Sequence, residues 1–281
     1  MSKTVYNQLY DQQVRDLYWL LFSPSPVGNI PPPWKAPLFP EEIIESWKQT
    51  SGSYFKRLDS HPEMLHQFLN RKKYKRLGFY AEALLSYFFQ TFEPIELLLQ
   101  NFQVREEKQT LGEIDFIFNY DNVTYHIELA VKYYLLLKSH SPDVPKNWVG
   151  PSLNDHFERK LNKIQARQLP LGQHRKVLHN LSAQQVHSYF FFRGCFFTHD
   201  RIHSTVLNTS KTYSYCFKNE LDKNVQLKKQ LHRPNWMSAV NPAQEDLPSS
   251  GTSRSITSDR PSLWINGNNE PLFILPNSWD Q

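Results

Sequence analysis

Apolar positions recur with a helical period through the N-terminal third of the chain. Over residues 5–22 they predict one amphipathic helix, which ends before a proline-rich stretch at 24–40. Successive prolines exclude a regular helix from that stretch and favour an irregular path. Short helices are expected over 40–50 and 60–70, and a strongly apolar helix is expected from Leu77 to Phe92. This part of the protein is therefore predicted to be mainly helical.

The period of the pattern shortens to that of β-strands after residue 95. Aromatic and branched residues predict strands over 96–106, 113–120 and 123–136. Asp121-Asn122 supplies a turn between the last two segments, because both residue types tolerate tight-turn backbone conformations. Three consecutive strands, the last two joined as a hairpin, are therefore expected after the apolar helix.

A second helix and a central strand are expected farther along the chain. Ser152 and Asp155 have the spacing of a capping box, and apolar residues follow them at helical intervals. The apolar run at 189–197 is rich in β-forming residues and predicts a strand that is buried on both faces. The predicted order of elements through this region is αβββαβ.

The composition changes again toward the C-terminus. Residues 240–261 are rich in Ser, Thr, Pro, Asp and Glu, which is typical of a loose linker. Residues 263–265 and 272–275 resemble two strands around an Asn- and Gly-rich turn, so a terminal hairpin is expected. The chain is accordingly divided into an N-terminal helical and proline-rich region at 1–70, the αβββαβ core at 71–200, and a C-terminal extension at 201–281 packed on that core.

The overall composition is that of a folded protein, with 40% hydrophobic and 21% charged residues among 281. The sequence has neither the pattern of a secretory signal nor an apolar stretch near the roughly 20 residues that cross a bilayer. Two cysteines, Cys195 and Cys216, are too few for a disulfide framework or a four-cysteine zinc site. We therefore expect a cytoplasmic protein with reduced thiols and no membrane partner.

Two neighbouring strands carry the candidate chemistry. Strand alternation places Glu113 and Asp115 on one face, and it places His126, Glu128 and Lys132 on one face of the next strand. If the strands pair around the predicted turn, Asp115 and Glu128 come opposite each other and their charges repel. A hard cation such as Mg²⁺, which favours carboxylates, waters and phosphate oxygens, would relieve that repulsion. The alternative is a solvated acidic pair, and His126 alone is more typical of a structural hydrogen bond.

Glu82 is an isolated acid within the strongly apolar helix. It is the only charged residue between Arg76 and Glu93. Burying an unpaired carboxylate is unfavourable, so a partner is expected, either a metal-bound water, Lys132 or an amide. We therefore predict that Glu82 faces the same site as the two strand acids.

The order of these residues resembles that of the PD-(D/E)XK nuclease superfamily. The likeness consists of Glu82 on a helix, Asp115 in the stretch Gly112-Glu113-Ile114-Asp115, and Glu128 with Lys132 on the following strand. The resemblance implies an α/β fold with a restriction-endonuclease-like αβββαβ core. In such a fold a mixed central sheet is flanked by helices, and here N-terminal helices and a C-terminal extension would be added.

A closer likeness rests on three longer stretches, at 14–24, 76–85 and 128–132. Together they resemble a bacterial family that is catalogued only as a domain of unknown function, DUF1853. That likeness spans most of the chain, but it implies no activity that could be transferred.

The superfamily resemblance implies roles for individual residues. Asp115 and Glu128 would bind Mg²⁺ or Mn²⁺ directly, together with the backbone carbonyl of Leu129. Glu82 would reach the metal or its water, and Lys132 would orient or deprotonate the attacking water. A bound metal would lower the pKa of that water and stabilise charge on the phosphate.

Lys132 departs from the superfamily pattern, in which the lysine stands two residues after the acid, where this chain has Ala130. It keeps the same face of the strand but lies roughly 6.6 Å farther along an ideal strand. A long side chain or a bulge would bridge that gap, and otherwise the site would bind metal without hydrolysis. Gln168, or else Gln165, would assist from the second helix.

Basic residues flank the candidate site along the sequence, and the net charge is +5. Such residues attract phosphate backbones, although charge runs are more commonly solvated surfaces. The candidate nucleic-acid contacts are a dense run and a stripe on one helix face, namely Arg71, Lys72, Lys73, Lys75 and Arg76 in the run, and Arg159, Lys163 and Arg167 in the stripe.

The leading prediction is a metal-dependent nuclease that hydrolyses phosphodiester bonds in DNA, which is favoured over RNA. A second interpretation is a nuclease-like protein that binds nucleic acid without cleaving it, because its lysine is displaced. A third is an interaction module in which the charged face is structural. The sequence makes no prediction about oligomeric state.

Overall fold

The alternation of helical and strand periods along the chain produces a mixed α/β fold. The computed structural model describes residues 5–182, 185–221, 225–232, 236–238 and 259–280. Within these residues there are eight α-helices: α1 (Val5–Gln8), α2 (Gln12–Phe22), α3 (Glu41–Thr50), α4 (Gly52–Ser60), α5 (Glu63–Leu69), α6 (Leu77–Thr91), α7 (Phe157–Lys163) and α8 (Arg175–Leu181).

One large sheet carries nine strands of the described part of the chain. They are β1 (Glu96–Glu106), β2 (Gln109–Tyr120), β3 (Val123–Leu136), β4 (Trp148–Val149), β5 (His187–Thr198), β6 (Thr212–Phe217), β7 (Leu227–Leu231), β8 (Ser262–Asn266) and β9 (Pro271–Leu275). The spatial order is β1-β2-β3-β5-β6-β9-β8-β7, and β4 pairs with β3 on the side. The strands β3, β5, β6 and β9 are parallel to one another, whereas the remaining pairs are antiparallel.

The centre of the sheet is the parallel pair of β3 and β5. Along β3, Ile127, Leu129 and Val131 pack into the main core on one side, and Ala130 packs into a second core on the other. The run of aromatic residues in β5 is buried on both faces. The prediction of a central strand at this position is confirmed, and its long apolar run is the expected signature of a doubly covered strand.

The N-terminal helix predicted over 5–22 is wrong in one respect, because the chain forms α1 and α2 with a break between them. Asp11 adopts an extended conformation and its carboxylate accepts hydrogen bonds from the N–H groups of Gln13 and Val14. This is an N-cap that restarts the helix. The short helices near 40–50 and 60–70 are confirmed as α3 and α5, and α4 between them was not predicted.

Helix α6 lies across one face of the sheet. Its bounds agree with the predicted apolar helix, and Phe89 packs against Phe116 and Phe118 of β2 with ring centroids 5.4 and 4.6 Å apart. Because the helix is apolar on most of its surface, it buries against both the sheet and α2. This packing fixes the position of Glu82 relative to the strands.

The second predicted helix begins later than its sequence signals suggested. The capping box of Ser152 and Asp155 does not form, since α7 starts at Phe157 with His156 as an N-cap that makes no side-chain bond. The carboxylate of Asp155 is instead hydrogen-bonded to side chains of β3. Beyond α7 the chain continues through a π-helical turn at Ile164–Gln168 and a 3₁₀ turn at Leu169–Gln173.

The predicted terminal hairpin is confirmed as β8 and β9, which pair in antiparallel register from Ser262↔Ile274 to Ile265↔Pro271. Strand β9 also pairs with β6, so the hairpin extends the main sheet. The predicted linker at 240–261 falls largely outside the described residues. The division into three regions stays a prediction. Across the described segments, no helix combines the length and apolarity that a membrane crossing would require.

Candidate active site

A tight hairpin turn brings the two strand acids together. Asp121 and Asn122 both have positive φ, 50° and 60°, as a two-residue turn between twisted strands requires. The resulting register pairs Phe116 with Ile127, and one further step sets Asp115 opposite Glu128. The Asp115 carboxylate accepts a 2.9 Å hydrogen bond from the Leu129 N–H, and the charge of Glu128 acts on it directly. The acids therefore form an adjacent carboxylate pair.

Glu128 is fully buried and is held at both carboxylate oxygens. His126 Nε2 lies 3.0 Å from one oxygen, and the Gln168 amide donates to the other. Burial lowers the pKa of His126 to about 4, so the ring is neutral at neutral pH. With Glu128 ionised, Nε2 carries the ring proton, and Nδ1 accepts from the Ser188 hydroxyl 2.9 Å away. His126 thus has the structural role that a strand histidine commonly takes.

The close approach of these polar groups depends on a glycine. A Cβ at Gly172 would overlap the Ser188 hydroxyl and the ring of His126. Since neither group could move without breaking its hydrogen bond, only glycine fits at this point of the 3₁₀ turn. The sequence offered no signal for this contact, because Gly172 is far from both partners along the chain.

The carboxylate pair is electrostatically unfavourable in the absence of a counter-charge. Burial, and then the charge of Glu128, raises the pKa of Asp115 to about 7. Burial also raises the pKa of Glu128 well above its usual range, while the charge of Lys160 opposes that rise. Glu128 is buried and Asp115 is half-buried, which is less typical of a solvated acidic pair.

Glu82 adds a third acid beside the pair. Burial, followed by the charges of Asp115 and Glu113, raises its pKa to about 7, and the charge of Lys160 opposes the shift. Within the part of the chain that the structure describes, no group donates a hydrogen bond to Glu82 and Lys132 is not its partner. The carboxylate is therefore available to a ligand.

Lys132 is directed away from the acids of the pair. Its ammonium lies 2.5 Å from Asp155, which also accepts a 3.3 Å hydrogen bond from the Tyr134 hydroxyl. Lys132 pairs across the sheet with Gly194, whose φ is 134° and whose missing Cβ would overlap the Lys132 carbonyl. This glycine lets β5 approach β3 closely at the point where the side chain of Lys132 turns toward Asp155.

Among the described residues, Lys160 on α7 is the cation whose charge most lowers the pKa values of Asp115 and Glu128. It was not among the predicted site residues. Burial lowers its pKa to about 8, and the charges of Asp115 and Glu128 oppose this shift. Its ammonium donates a 3.3 Å hydrogen bond to the side-chain Oε1 of Gln168 and lies 5.8 Å from the ring centre of Phe190. The sequence did carry a signal, because Lys160 lies between the basic positions Arg159 and Lys163 but four residues before the buried Ile164, on the apolar face.

The π-helical turn orients Gln168 toward the site. The turn is marked by the hydrogen bond from the Leu169 N–H to the Ile164 carbonyl, five residues back. In a regular α-helix, Gln168 would stand roughly 80° around the axis from Lys160, eight residues earlier. A widened turn rotates it back toward that face, so that Gln168 links Lys160 to Glu128. Gln165 accepts instead from the backbone N–H of Lys35, away from the pair.

A cleft of about 770 Å³ opens beside the carboxylate pair. Glu82, Leu129 and Lys160 line it, whereas Asp115 and Glu128 do not, so the cleft reaches the pair through these neighbours. Basic side chains at its edge include Arg76 and Lys163.

The predicted basic surfaces are both exposed. The run at 71–76 forms the loop between α5 and α6, and within it Arg76 lines the cleft. Of the stripe on the second helix, Lys163 lines the cleft, while Arg159 and Arg167 are exposed outside it. The remaining members of the run, which are exposed and lie outside the cleft lining, are Arg71, Lys72, Lys73 and Lys75.

The oxygen donors of this site fit a hard divalent cation. Counting only described residues, no three His, Cys, Asp or Glu side chains are grouped as a metal site. Mg²⁺ needs fewer protein ligands, because it commonly binds through one or two carboxylates and retains several waters. Each oxygen of Asp115 and Glu128 keeps a lone pair beyond its present hydrogen bond. The residues that could hold such a cation are Asp115 and Glu128, with Glu82 and the Leu129 carbonyl beside them.

Comparison with known proteins gives one match. No curated protein and no solved structure is detectably similar to this chain. A family described as a domain of unknown function, DUF1853, matches residues 15–263, which confirms the closer of the two resemblances. Because the match includes the carboxylate pair, Glu82 and Lys160 and covers most of the 281 residues, the chain belongs to the DUF1853 family.

Proposed function

We propose that this protein is a metal-dependent phosphodiesterase that cleaves nucleic acid, with DNA as the preferred substrate over RNA. The observation that carries the proposal is the adjacent pair of Asp115 and Glu128, whose pKa values are raised, together with the half-buried Lys160 beside a cleft lined by cations. Perturbed titratable groups that converge next to a cleft are characteristic of functional sites.

The order and pairing of the elements support a restriction-endonuclease-like core of the PD-(D/E)XK type. Helix α6, strands β1 to β3, helix α7 and strand β5 follow in the order αβββαβ, with the short strand β4 and helix α8 between them, and β5 joins β3 in parallel. In this proposal the acids stand on the helix and on the two strands where the superfamily resemblance would put them.

Mg²⁺ or Mn²⁺ would be held by Asp115 and Glu128, with the Leu129 carbonyl and Glu82 completing the set. When bound, such a cation lowers the pKa of water and offsets negative charge on a phosphoryl oxygen. The chain supplies the rest of the chemistry. The hydrogen bonds of Glu128 to His126 and Gln168 fix its orientation.

In this proposal Lys160, rather than Lys132, is the lysine that orients or deprotonates the attacking water. Its pKa of about 8 allows Nζ to hold or release a proton near neutral pH, as a group that transfers a proton to or from water must. Gln168 positions Nζ through a direct hydrogen bond. Glu82 is open to accept a hydrogen bond from the attacking water, and Arg76 and Lys163 at the cleft edge hold phosphate charge.

One observation favours the second candidate, a nuclease-like protein that binds nucleic acid without cleaving it. Lys132, the lysine that follows the acid on its own strand, is tied to Asp155. If Lys160 does not replace it, the site holds a metal and a phosphate but does not move a proton. The interaction-module interpretation is less well supported, because burying two acids without a ligand is unfavourable.

Cleavage assays with matched lysine variants test the proposal. Single-stranded, duplex and branched DNA and single-stranded RNA would be incubated with Mg²⁺ or Mn²⁺ and each variant. We expect Asp115→Asn, Glu128→Gln and Lys160→Met to lose on the order of 100-fold or more in rate. Lys132→Met should retain activity within a few fold.

Each contrary result has a distinct meaning. Metal-dependent cutting that persists in both carboxylate variants would refute the site. A loss in Lys132→Met with full activity in Lys160→Met would reverse the assignment of the lysine. Binding without cleavage under every metal condition would favour the inactive protein, and the absence of a Mn²⁺-dependent thermal shift would count against a metal site.

A further inference from the structure

An aromatic ring stands exposed at the edge of the cleft. Phe79 is in the first turn of α6, its side chain is 53% exposed, and it lines the cleft. It precedes Glu82 by three residues, and residues at that spacing are neighbours on one helix face. The ring therefore lies next to an acid of the proposed site, where a bound ligand could cover it.

The charge around Phe79 suits a polyanion. The guanidinium of Arg76 is 5.9 Å from the centre of the Phe79 ring. Lys132, Lys160 and Lys163 line the same cleft. A cationic groove combined with an accessible aromatic ring is the arrangement by which proteins hold unpaired nucleic acid strands, since each base has a face that can stack.

The recessed position of the carboxylates also favours an unpaired strand over a duplex. Glu128 is fully buried, and the cleft of about 770 Å³ has the size of a small-ligand pocket. A duplex is stiff over roughly 150 base pairs and carries its phosphates on its outer surface, so it cannot bend into such a cleft. An unpaired strand can turn one phosphate inward and rotate the adjoining base outward.

We propose that the substrate of this site is an unpaired nucleic acid strand, one base of which stacks on Phe79 while the neighbouring phosphate reaches the acids. This inference rests on the proposed function and specifies its substrate. The cations at Arg76 and Lys163 hold the backbone on either side of the stacked base.

The test compares normal with abasic oligonucleotides, which carry the same phosphate charge without bases. Binding of labelled 20-nucleotide thymidine and abasic strands, and of a 20-base-pair duplex, would be measured by fluorescence anisotropy in EDTA, so that cleavage does not interfere. We expect Phe79→Ala to weaken binding of the thymidine strand by roughly 5- to 100-fold. Binding of the abasic strand should be unchanged, and Phe79→Trp should retain affinity for both strands.

Two further variants serve as controls. Met64→Ala removes another exposed apolar side chain, outside the cleft lining, and should leave all affinities unchanged. Lys163→Ala should weaken the thymidine and abasic strands by equal factors, because it removes a phosphate contact.

Several results would overturn the inference. The first is an affinity of Phe79→Ala for the thymidine strand within twofold of that of wild type. The second is an equal loss of affinity of this variant for the abasic strand. The third is tighter binding of the duplex than of the thymidine strand by the wild-type protein. A protein that cleaves with metal but shows no dependence on Phe79 would reject this inference and leave the proposed function standing. Failure to bind any nucleic acid in EDTA, together with no cleavage in Mg²⁺ or Mn²⁺, would reject both.

Discussion

Replacing Asp115 with asparagine should stabilise the metal-free protein at neutral and alkaline pH. Asparagine keeps the oxygen that accepts from the Leu129 N–H and removes the charge that faces Glu128. Burial and the charge of Glu128 raise the pKa of Asp115 from 3.8 to about 7. A carboxyl with a raised folded-state pKa contributes fully to stability below its unfolded value, and that contribution is lost as pH rises through the folded value.

The size of the effect follows from this shift. A pKa that changes from 3.8 in the unfolded chain to about 7 in the folded protein corresponds to about 4 kcal/mol in the free energy of unfolding, which is an upper bound. Because Asp115 is only half-buried and solvent screens part of the repulsion, we expect a gain of roughly 1–3 kcal/mol at pH 8. For a protein of this size that corresponds to roughly 2–5 °C in Tm. The gain should be near zero at pH 4, grow to pH 7 and then level off.

Thermal unfolding of wild type and Asp115→Asn in EDTA across pH 4–8 measures this difference directly. Glu93→Gln is the control, because Glu93 is exposed after the end of α6 and its charge does not shift the pKa of Glu82, Asp115 or Glu128. The difference in Tm between that variant and wild type should not change with pH. The reasoning is refuted if Asp115→Asn is no more stable than wild type at pH 8, or if its gain does not vary with pH.

Three further predictions concern the metal, Gln168 and the contact between β3 and β5. The rise in Tm caused by Mn²⁺ should increase from pH 5.5 to pH 8, because the cation competes with protons for acids of raised pKa, and a shift independent of pH would contradict this. Gln168→Leu should lower the free energy of unfolding by about 1–3 kcal/mol in chemical denaturation, whereas Gln165→Leu should have a smaller effect. Gly194→Ala should destabilise the fold by at least about 2 kcal/mol, or prevent folding, because the added Cβ meets the Lys132 carbonyl, while Gly52→Ala, in open space, should be tolerated.

The local patterns in the sequence determined most of the elements near the site. The apolar period defined α6, and the alternation along β2 and β3 set Asp115, His126 and Glu128 on one face. The two-residue turn then fixed the register of the acids. These features follow from interactions between residues close in sequence, which is why a pattern along the chain predicts them.

Only the tertiary structure decided which lysine lies near the acids. Strand alternation correctly gave the face of Lys132, but the loop after β4 brings Asp155 to its ammonium. Lys160 belongs to a helix that packs onto the sheet from elsewhere in the chain, and a π-helical turn beyond it brings Gln168 into contact with both Lys160 and Glu128. The burial and the pKa of a group depend on all the elements that surround it. The spacing of residues along one strand therefore could not show that Lys160, rather than Lys132, lies near the acids.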